Sequence, residues 1–189
     1  MTSTILFICT GNYYRSRFAE AFFNHHATLR KLRWRAFSRG LAIDRVIEQD
    51  GLSCLTVAAL SERGIERRHT SLEPRALTSQ DLLDADLIIA LCEVEHRPMM
   101  DEAHPAWADE VIYWNVPDLS HWSPDAALPE IECQVLLLLN VLVGRELTIQ
   151  SSTKNIVRPG VTGLNGTGNG LHAAREIIGG TTQKKRCPA

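Results

Sequence analysis

The sequence has no long hydrophobic run. Its uninterrupted apolar stretches, such as Leu87 to Cys92 and Val135 to Leu139, fall far short of the ~20 residues that a membrane-spanning helix needs. It also has no excess of charge of one sign. With 20 Lys+Arg against 22 Asp+Glu and a formal charge of -2, neither a nucleic-acid partner nor stable membrane association is expected. Residues 1–4 carry no basic segment ahead of Ile5-Leu6-Phe7-Ile8 and no cleavage site follows, so a secretory signal is not expected. The five cysteines, Cys9, Cys54, Cys92, Cys133 and Cys187, are odd in number and lack C-x-x-C spacing, which argues against a disulfide scaffold or a zinc ribbon. A reducing, cytoplasmic setting is therefore the expected one.

Aromatic residues are missing from Ile149 to Ala189, and acids nearly so. Those 41 residues hold six Lys+Arg, one Glu and seven of the twelve glycines, so this tail carries +5 and the rest of the chain -7. Such a composition buries too little apolar surface to offset chain entropy. The expectation is a folded unit over 1–148 and a basic, Gly-rich, mostly disordered tail over 149–189, with at most a short helix around Leu171–Ile178. A weak acidic partner is the functional reading of that tail.

What the sequence does contain is alternation. Ile5 to Ile8 is a short apolar run of strand formers that stops at the turn residues Cys9-Thr10-Gly11-Asn12. Phe18, Ala19, Phe22 and Phe23 then recur at helical spacing, with Ser16 in position to cap that helix. Arg35 to Ser38 reads as a second strand, and Leu52 to Glu62 as a helix closed by Gly64. Ser79-Gln80-Asp81 opens a short helical turn, Asp86 to Leu91 is a third strand, and helical residues follow through Met100. Val111 to Trp114 makes a fourth strand, and Ala126 to Leu147 a long final helix. Strands alternating with helices predict an α/β, three-layer, doubly wound fold with a four-stranded parallel sheet flanked by helices. In such sheets the ligand crevice lies beyond the carboxyl ends of the strands, where Cys9 sits.

The loop after the first strand, Cys9-Thr10-Gly11-Asn12-Tyr13-Tyr14-Arg15-Ser16, has the form C-x5-R-S. A loop wound onto a helix N-terminus points several N–H groups at one spot and binds a tetrahedral oxyanion. Arg15 adds a planar fork that pairs two oxygens at once. The same field favours a thiolate at Cys9, and Ser16 can donate a hydrogen bond to it.

An apolar strand, Cys-x-Gly-Asn-x-x-Arg-Ser, then Phe18-Ala19-Glu20 resembles the low-molecular-weight protein tyrosine phosphatases and their sister group, the thioredoxin-coupled arsenate reductases. Ser38-Arg39-Gly40, Arg75-Ala76-Leu77 ahead of Asp81-Leu82, and Asp86 to Ala90 are similar to later segments of that family, and the likeness covers about residues 4–146. It implies Cys9 as nucleophile, Arg15 as the phosphate-binding arginine, and Asp118 in Trp114-Asn115-Val116-Pro117-Asp118 as general acid, with Asp125 and Asp109 as lower-ranked substitutes. Thr10, Gly11, Asn12, Tyr13, Tyr14 and Ser16 then bind the phosphate or the substrate. Ser38 supports Asn12, and Gly11 allows the tight loop. The chemistry calls for no cofactor and no metal. The expected substrate is a phosphotyrosine protein or a small aryl phosphate.

The sequence departs from the family in several places. Leu119 replaces the usual proline after the acid. Tyr14 stands where many members have a second cysteine, so a protective disulfide with Cys9 is not expected. Trp122 is the nearby aromatic, either a cleft rim or loop packing. Cys92 stands where the reductases have their first resolving cysteine, but no second one follows in Glu93 to Met100, so arsenate reduction with an external thiol is one alternative. A non-catalytic phosphate-binding module is the other. Cys92, Glu93 and His96 lack a further ligand for zinc. The segment Glu95-His96-Arg97-Pro98-Met99-Met100 is unlike the family and lies near the crevice, which makes it a candidate for substrate selection.

Overall fold

The protein is described by a computed structural model covering residues 2–45 and 51–155. The tail from 156 onward, with the expected helix near Leu171, lies outside the described residues.

Four strands, β1 (Ser3–Cys9), β2 (Trp34–Gly40), β3 (Leu87–Ala90) and β4 (Ile112–Tyr113), form one sheet in the order β2-β1-β3-β4, with every pair parallel. Among the described residues five α-helices flank it: α1 (Arg15–Leu29), α2 (Cys54–Glu62), α3 (Ser79–Asp84), α4 (Glu93–Ala103) and α5 (Pro124–Asn155). The apolar runs of β1 and β3 are continuous because both faces of the sheet are covered. Ile5, Phe7, Leu87 and Ile89 point into a core shared with α1, α2 and α5, while Leu6, Ile8, Ile88 and Ala90 point into a second core closed by Leu82 of α3 and Met100 of α4. The two-residue alternation of a strand divides one apolar run between two layers.

Helix α5 runs to Asn155, past the end at Leu147 expected from its apolar periodicity. Its segment Pro124–Glu146, at mean hydropathy 1.7, is long and apolar enough by length and composition to cross a membrane. In this fold Leu128, Ile131, Val135, Leu138, Leu139 and Leu142 are instead buried in the core, and the helix packs along α1.

Strand order reverses between β1 and β3, so their carboxyl ends open a crevice at the topological switch point. Cys9 ends β1, Leu91 and Cys92 follow β3, and Trp114 follows β4 with its N–H donated to Ala90 O at 2.8 Å. Gly40, at the end of β2, lies against the loop that leaves β1. A Cβ there would stand 2.9 Å from both the Asn12 nitrogen and the Thr10 oxygen, so only glycine lets the two backbones approach this closely.

Phe7 lies at the centre of the first core, fully buried, with its ring 6.2 Å from Phe23 and 5.6 Å from Trp114. Phe7→Ala is expected to lower the unfolding free energy by about 3–5 kcal/mol, read from urea denaturation monitored by circular dichroism.

Candidate active site

The loop Cys9–Ser16 leaves β1 and winds directly into α1. Its tightest turn is at Asn12, whose φ of 49° lies in the left-handed region that asparagine tolerates better than most residues. The loop's positive φ thus belongs to Asn12 and not to Gly11. The Asn12 amide gives one hydrogen bond to Ser16 Oγ (3.1 Å) and one to Ser38 Oγ (2.8 Å), and its oxygen accepts from the Arg75 N–H (2.8 Å). These bonds fix the direction of the next ones. Because Ser38 accepts from Asn12, its own hydroxyl donates to Glu20 Oε2 (2.7 Å). Because Ser16 likewise accepts from Asn12, its hydroxyl proton is available to the Cys9 sulfur, 3.0 Å away. Ser16 is therefore not a helix cap: the helix begins after Tyr14, with no capping side chain, and Ser16 faces the thiol instead.

Behind the loop stands a buried polar cluster. Glu20 also accepts from Thr70 Oγ1 (2.8 Å), which in turn accepts from Arg17 Nε (2.8 Å), while Arg17 reaches the carbonyls of Asn12 and Ser71. Burial pushes the Glu20 carboxyl up against these bonds, and burial likewise pulls Arg17 below its ordinary value. The expectations of the sequence did not include Arg17, Glu20 or Thr70. Charged residues on an amphipathic helix normally read as its solvated face, and nothing local marks these as buried.

At the mouth, Arg15 is almost wholly buried. Nη1 donates to Val116 O (2.9 Å), and Nη2 donates to Glu95 Oε2 (2.7 Å) with Asp118 Oδ1 at 3.4 Å. Burial works against the guanidinium, but Cys9, Glu95 and Asp118 outweigh it and hold Arg15 above its usual value. Glu95, which burial alone would push up, is kept below the usual carboxylate range by Arg15. Its second oxygen, Oε1, accepts from the Asp118 N–H at 2.8 Å. Glu95 is the residue that sequence reasoning located only as part of an unusual segment. Its partners lie 80 and 23 residues away, so no local pattern reveals them.

His96 is fully buried beside it. Its Nδ1 accepts from the Cys92 N–H (3.0 Å), which leaves Nε2 as the protonated nitrogen, facing Thr10 Oγ1 (3.4 Å) and Glu95 Oε2 (3.7 Å). Burial and the Arg15 charge bring His96 down to about 4. Cys92 is buried at the end of β3, and burial raises its thiol.

The other expected residues fall as follows. Thr10 and Tyr13 sit half-buried in the loop, where Tyr13 O accepts from Ser53 N at 3.2 Å. Tyr14 contributes its backbone to the loop, but its side chain packs into the first core. There the hydroxyl has no partner, and burial pushes it to about 12. Asp118 is half exposed and reaches Arg15, whereas Asp109 pairs with Arg97 on α4 and Asp125 lines a groove between α2 and α5 with Glu62 and Arg63. Trp122 packs against the first core.

A neutral, buried His96 sets a pH dependence. Its folded value of about 4 lies below the 6.5 of an open histidine, so the unfolded chain binds a proton first and stability falls as pH drops. His26, brought down to about 4 by burial, adds a slope of the same sign. Unfolding free energy should decline between about pH 6.5 and 4, by a few kcal/mol at most, and His96→Asn should remove part of that slope in urea titrations across this range.

The chain is 37% identical over 90 residues to an arsenate reductase of Bacillus licheniformis, an alignment covering 47% of this chain and 56% of that one. It is 33% identical over 116 residues to an arsenate reductase of Brevibacillus brevis, covering 61% and 75%. The chain thus spans little more than half the length of the first of these relatives. Among solved structures, the low molecular weight protein tyrosine phosphatase of T. tengcongensis matches with a TM-score of 0.62 at 25% identity, covering 74% of this chain and 99% of that one. The family model described as low molecular weight phosphotyrosine protein phosphatase matches residues 4–127, and the chain belongs to that family.

Proposed function

We propose that this chain is a cysteine-dependent phosphatase that hydrolyses aryl phosphate monoesters, phosphotyrosine foremost, through a phosphocysteine intermediate. The observation that carries the reading is the Cys9 sulfur 3.0 Å from the Ser16 hydroxyl, in a loop whose Arg15 has Asp118 3.4 Å away.

In the first step the Cys9 thiolate forms a bond to phosphorus as the bond from phosphorus to the phenolic oxygen breaks. The Asp118 carboxyl gives its proton to that oxygen. Arg15 and the N–H groups of residues 10–16 hold the three equatorial oxygens, so the barrier falls mainly through positioning and electrostatics. In the second step Asp118, now a carboxylate, takes a proton from water, the water oxygen bonds to phosphorus, and the sulfur leaves as thiolate. Ser16 supports that thiolate with its hydroxyl proton. The family membership supports the same assignment.

A second reading, arsenate reduction, is favoured by the curated relatives, which are arsenate reductases. In it Cys9 bonds to arsenic with loss of water. A thiol then attacks the Cys9 sulfur, releasing arsenite and leaving a mixed disulfide for a second thiol to reduce. Glu93 to Met100 contains no cysteine to follow Cys92, so a thiol would have to come from outside.

One paired assay separates the readings: aryl phosphate hydrolysis, and arsenate reduction with an external dithiol, by wild type, Cys9→Ser and Asp118→Asn. The phosphatase reading expects ester hydrolysis that Cys9→Ser abolishes and that Asp118→Asn slows by about 10²- to 10³-fold on phenyl phosphate. Arsenate reduction without ester hydrolysis would overturn it. Phosphate binding without turnover of either substrate would assign the chain as a binding module.

A further inference from the structure

The segment that carries Asp118 is tied to the carboxyl end of β3 and to the phosphate loop by hydrogen bonds. Val116 donates its N–H to Leu91 O (2.8 Å) and accepts from Arg15 Nη1 (2.9 Å), and the Asp118 N–H donates to Glu95 Oε1 (2.8 Å). Beyond that point Leu119 is exposed and the Asp118 side chain is about half exposed. Packing holds the two flanks, Val116 within the first core and Trp122 against it, and the Asp118 carbonyl accepts from the His121 and Trp122 N–H groups (2.9 and 3.0 Å), but no packing surrounds the half-exposed Asp118 side chain itself. Two polar anchors nearest to Asp118 come from one ion pair: Arg15 holds Val116 O, and Glu95 holds the Asp118 N–H, while the two are joined to each other at 2.7 Å.

We propose that Glu95 is a positioning residue that joins the phosphate loop to the acid loop, placing Asp118 through its backbone and serving as the counter-anion of Arg15 until a phosphoryl group takes that place. The two oxygens divide the work. Oε1 accepts the Asp118 amide, and Oε2 accepts from the Arg15 Nη2 that an incoming phosphoryl oxygen would use. An arriving dianion competes with Glu95 for that donor and meets a like charge beside it, so Glu95 weakens anion binding while it orders the acid. Glu95 lies in the first turn of α4 with its carboxylate partly buried, so its charge is only partly screened by water. His96 stands behind it at 3.7 Å with its Nε2 proton facing the same oxygen, which limits the directions in which the carboxylate can turn.

The kinetic part of this inference rests on the phosphatase reading; the binding part does not. The full chain, Glu95→Gln and Glu95→Ala would be compared in two measurements. In calorimetric titration with inorganic phosphate, both variants should bind about 10-fold more tightly than wild type, because Arg15 is no longer neutralised. In steady-state kinetics, kcat/KM, which reports the step that expels the phenol and not the later hydrolysis common to both esters, should fall about 10-fold more for phenyl phosphate, whose leaving group needs the acid, than for para-nitrophenyl phosphate, whose leaving group needs it little. That divergence should be larger in Glu95→Ala than in Glu95→Gln, which keeps one acceptor for the Asp118 amide. A residue with a merely structural role would weaken phosphate binding and slow both esters alike, and either result overturns the proposal. Unchanged phosphate affinity in both variants also overturns it. If the alanine variant does not fold, as judged by its thermal transition, the near-isosteric glutamine variant supplies both readouts. If wild type hydrolyses neither ester, the phosphatase reading fails and the phosphate titration alone decides the role of Glu95.

Discussion

The site depends on the conformation of a single residue, Asn12. It turns the chain at φ 49°, and its amide then closes three hydrogen bonds that reach α1, β2 and the segment at Arg75. Three parts of the chain that are remote in sequence, the loop running into α1, β2 and the segment at Arg75, meet at this side chain. The arrangement also fixes proton direction, since an asparagine amide nitrogen only donates. Each hydroxyl that accepts from it must turn its own proton onward, Ser38 to Glu20 and Ser16 to the Cys9 sulfur. Each such bond contributes about 1 kcal/mol net, but a buried group left without a partner costs about 1–3 kcal/mol, so the cluster is stable only when complete. Gly40 is part of the same constraint, because a larger residue there would push β2 away from the Asn12 backbone.

Charge is distributed on a local rather than a global scale. The chain as a whole is close to neutral, and its acidity says nothing of the field at residue 9. That field is set by Arg15, buried at the mouth, and by the carboxylates Glu95 and Asp118 that share its guanidinium. Removing one partner of a buried pair leaves an uncompensated charge, with a cost of about 3–5 kcal/mol, which explains why a buried arginine at the crevice is accompanied by acids even where an anion is to be bound. His96 contributes no charge there. Burial and Arg15 keep it neutral through the physiological range, as a spacer with one fixed tautomer.

Much of the architecture was legible locally. Ile5 to Ile8 and Asp86 to Leu91 read as buried parallel strands because a strand covered on both faces needs apolar residues at every position, and both cores indeed draw on them. The C-x5-R-S loop was legible because its chemistry is contiguous. Other features were not. Ser16 resembled a helix cap because it stands where a helix starts, yet its hydroxyl is taken by a thiol and an amide that the local sequence does not show. Tyr14 stays in the phosphate loop through its backbone, but its ring turns into the core, since consecutive loop side chains point in different directions. Arg17 and Glu20 had every local mark of solvated helix residues, and only Thr70 and Ser71 arriving from a later turn bury them.

The sequence by itself determined the period of each element, the continuous loop of residues 9–16 and the nucleophile within it, because these depend on neighbours a few residues apart. Only the tertiary structure decided which charges complete the site. Parallel β1 and β3 lie side by side, so the turn that follows β3 delivers Glu95 to Arg15 across 80 residues of chain, and the turn after β4 delivers Asp118 to both. Spacing along a sequence carries no signal of such a meeting, because it arises from the order of strands in the sheet and not from the residues between them.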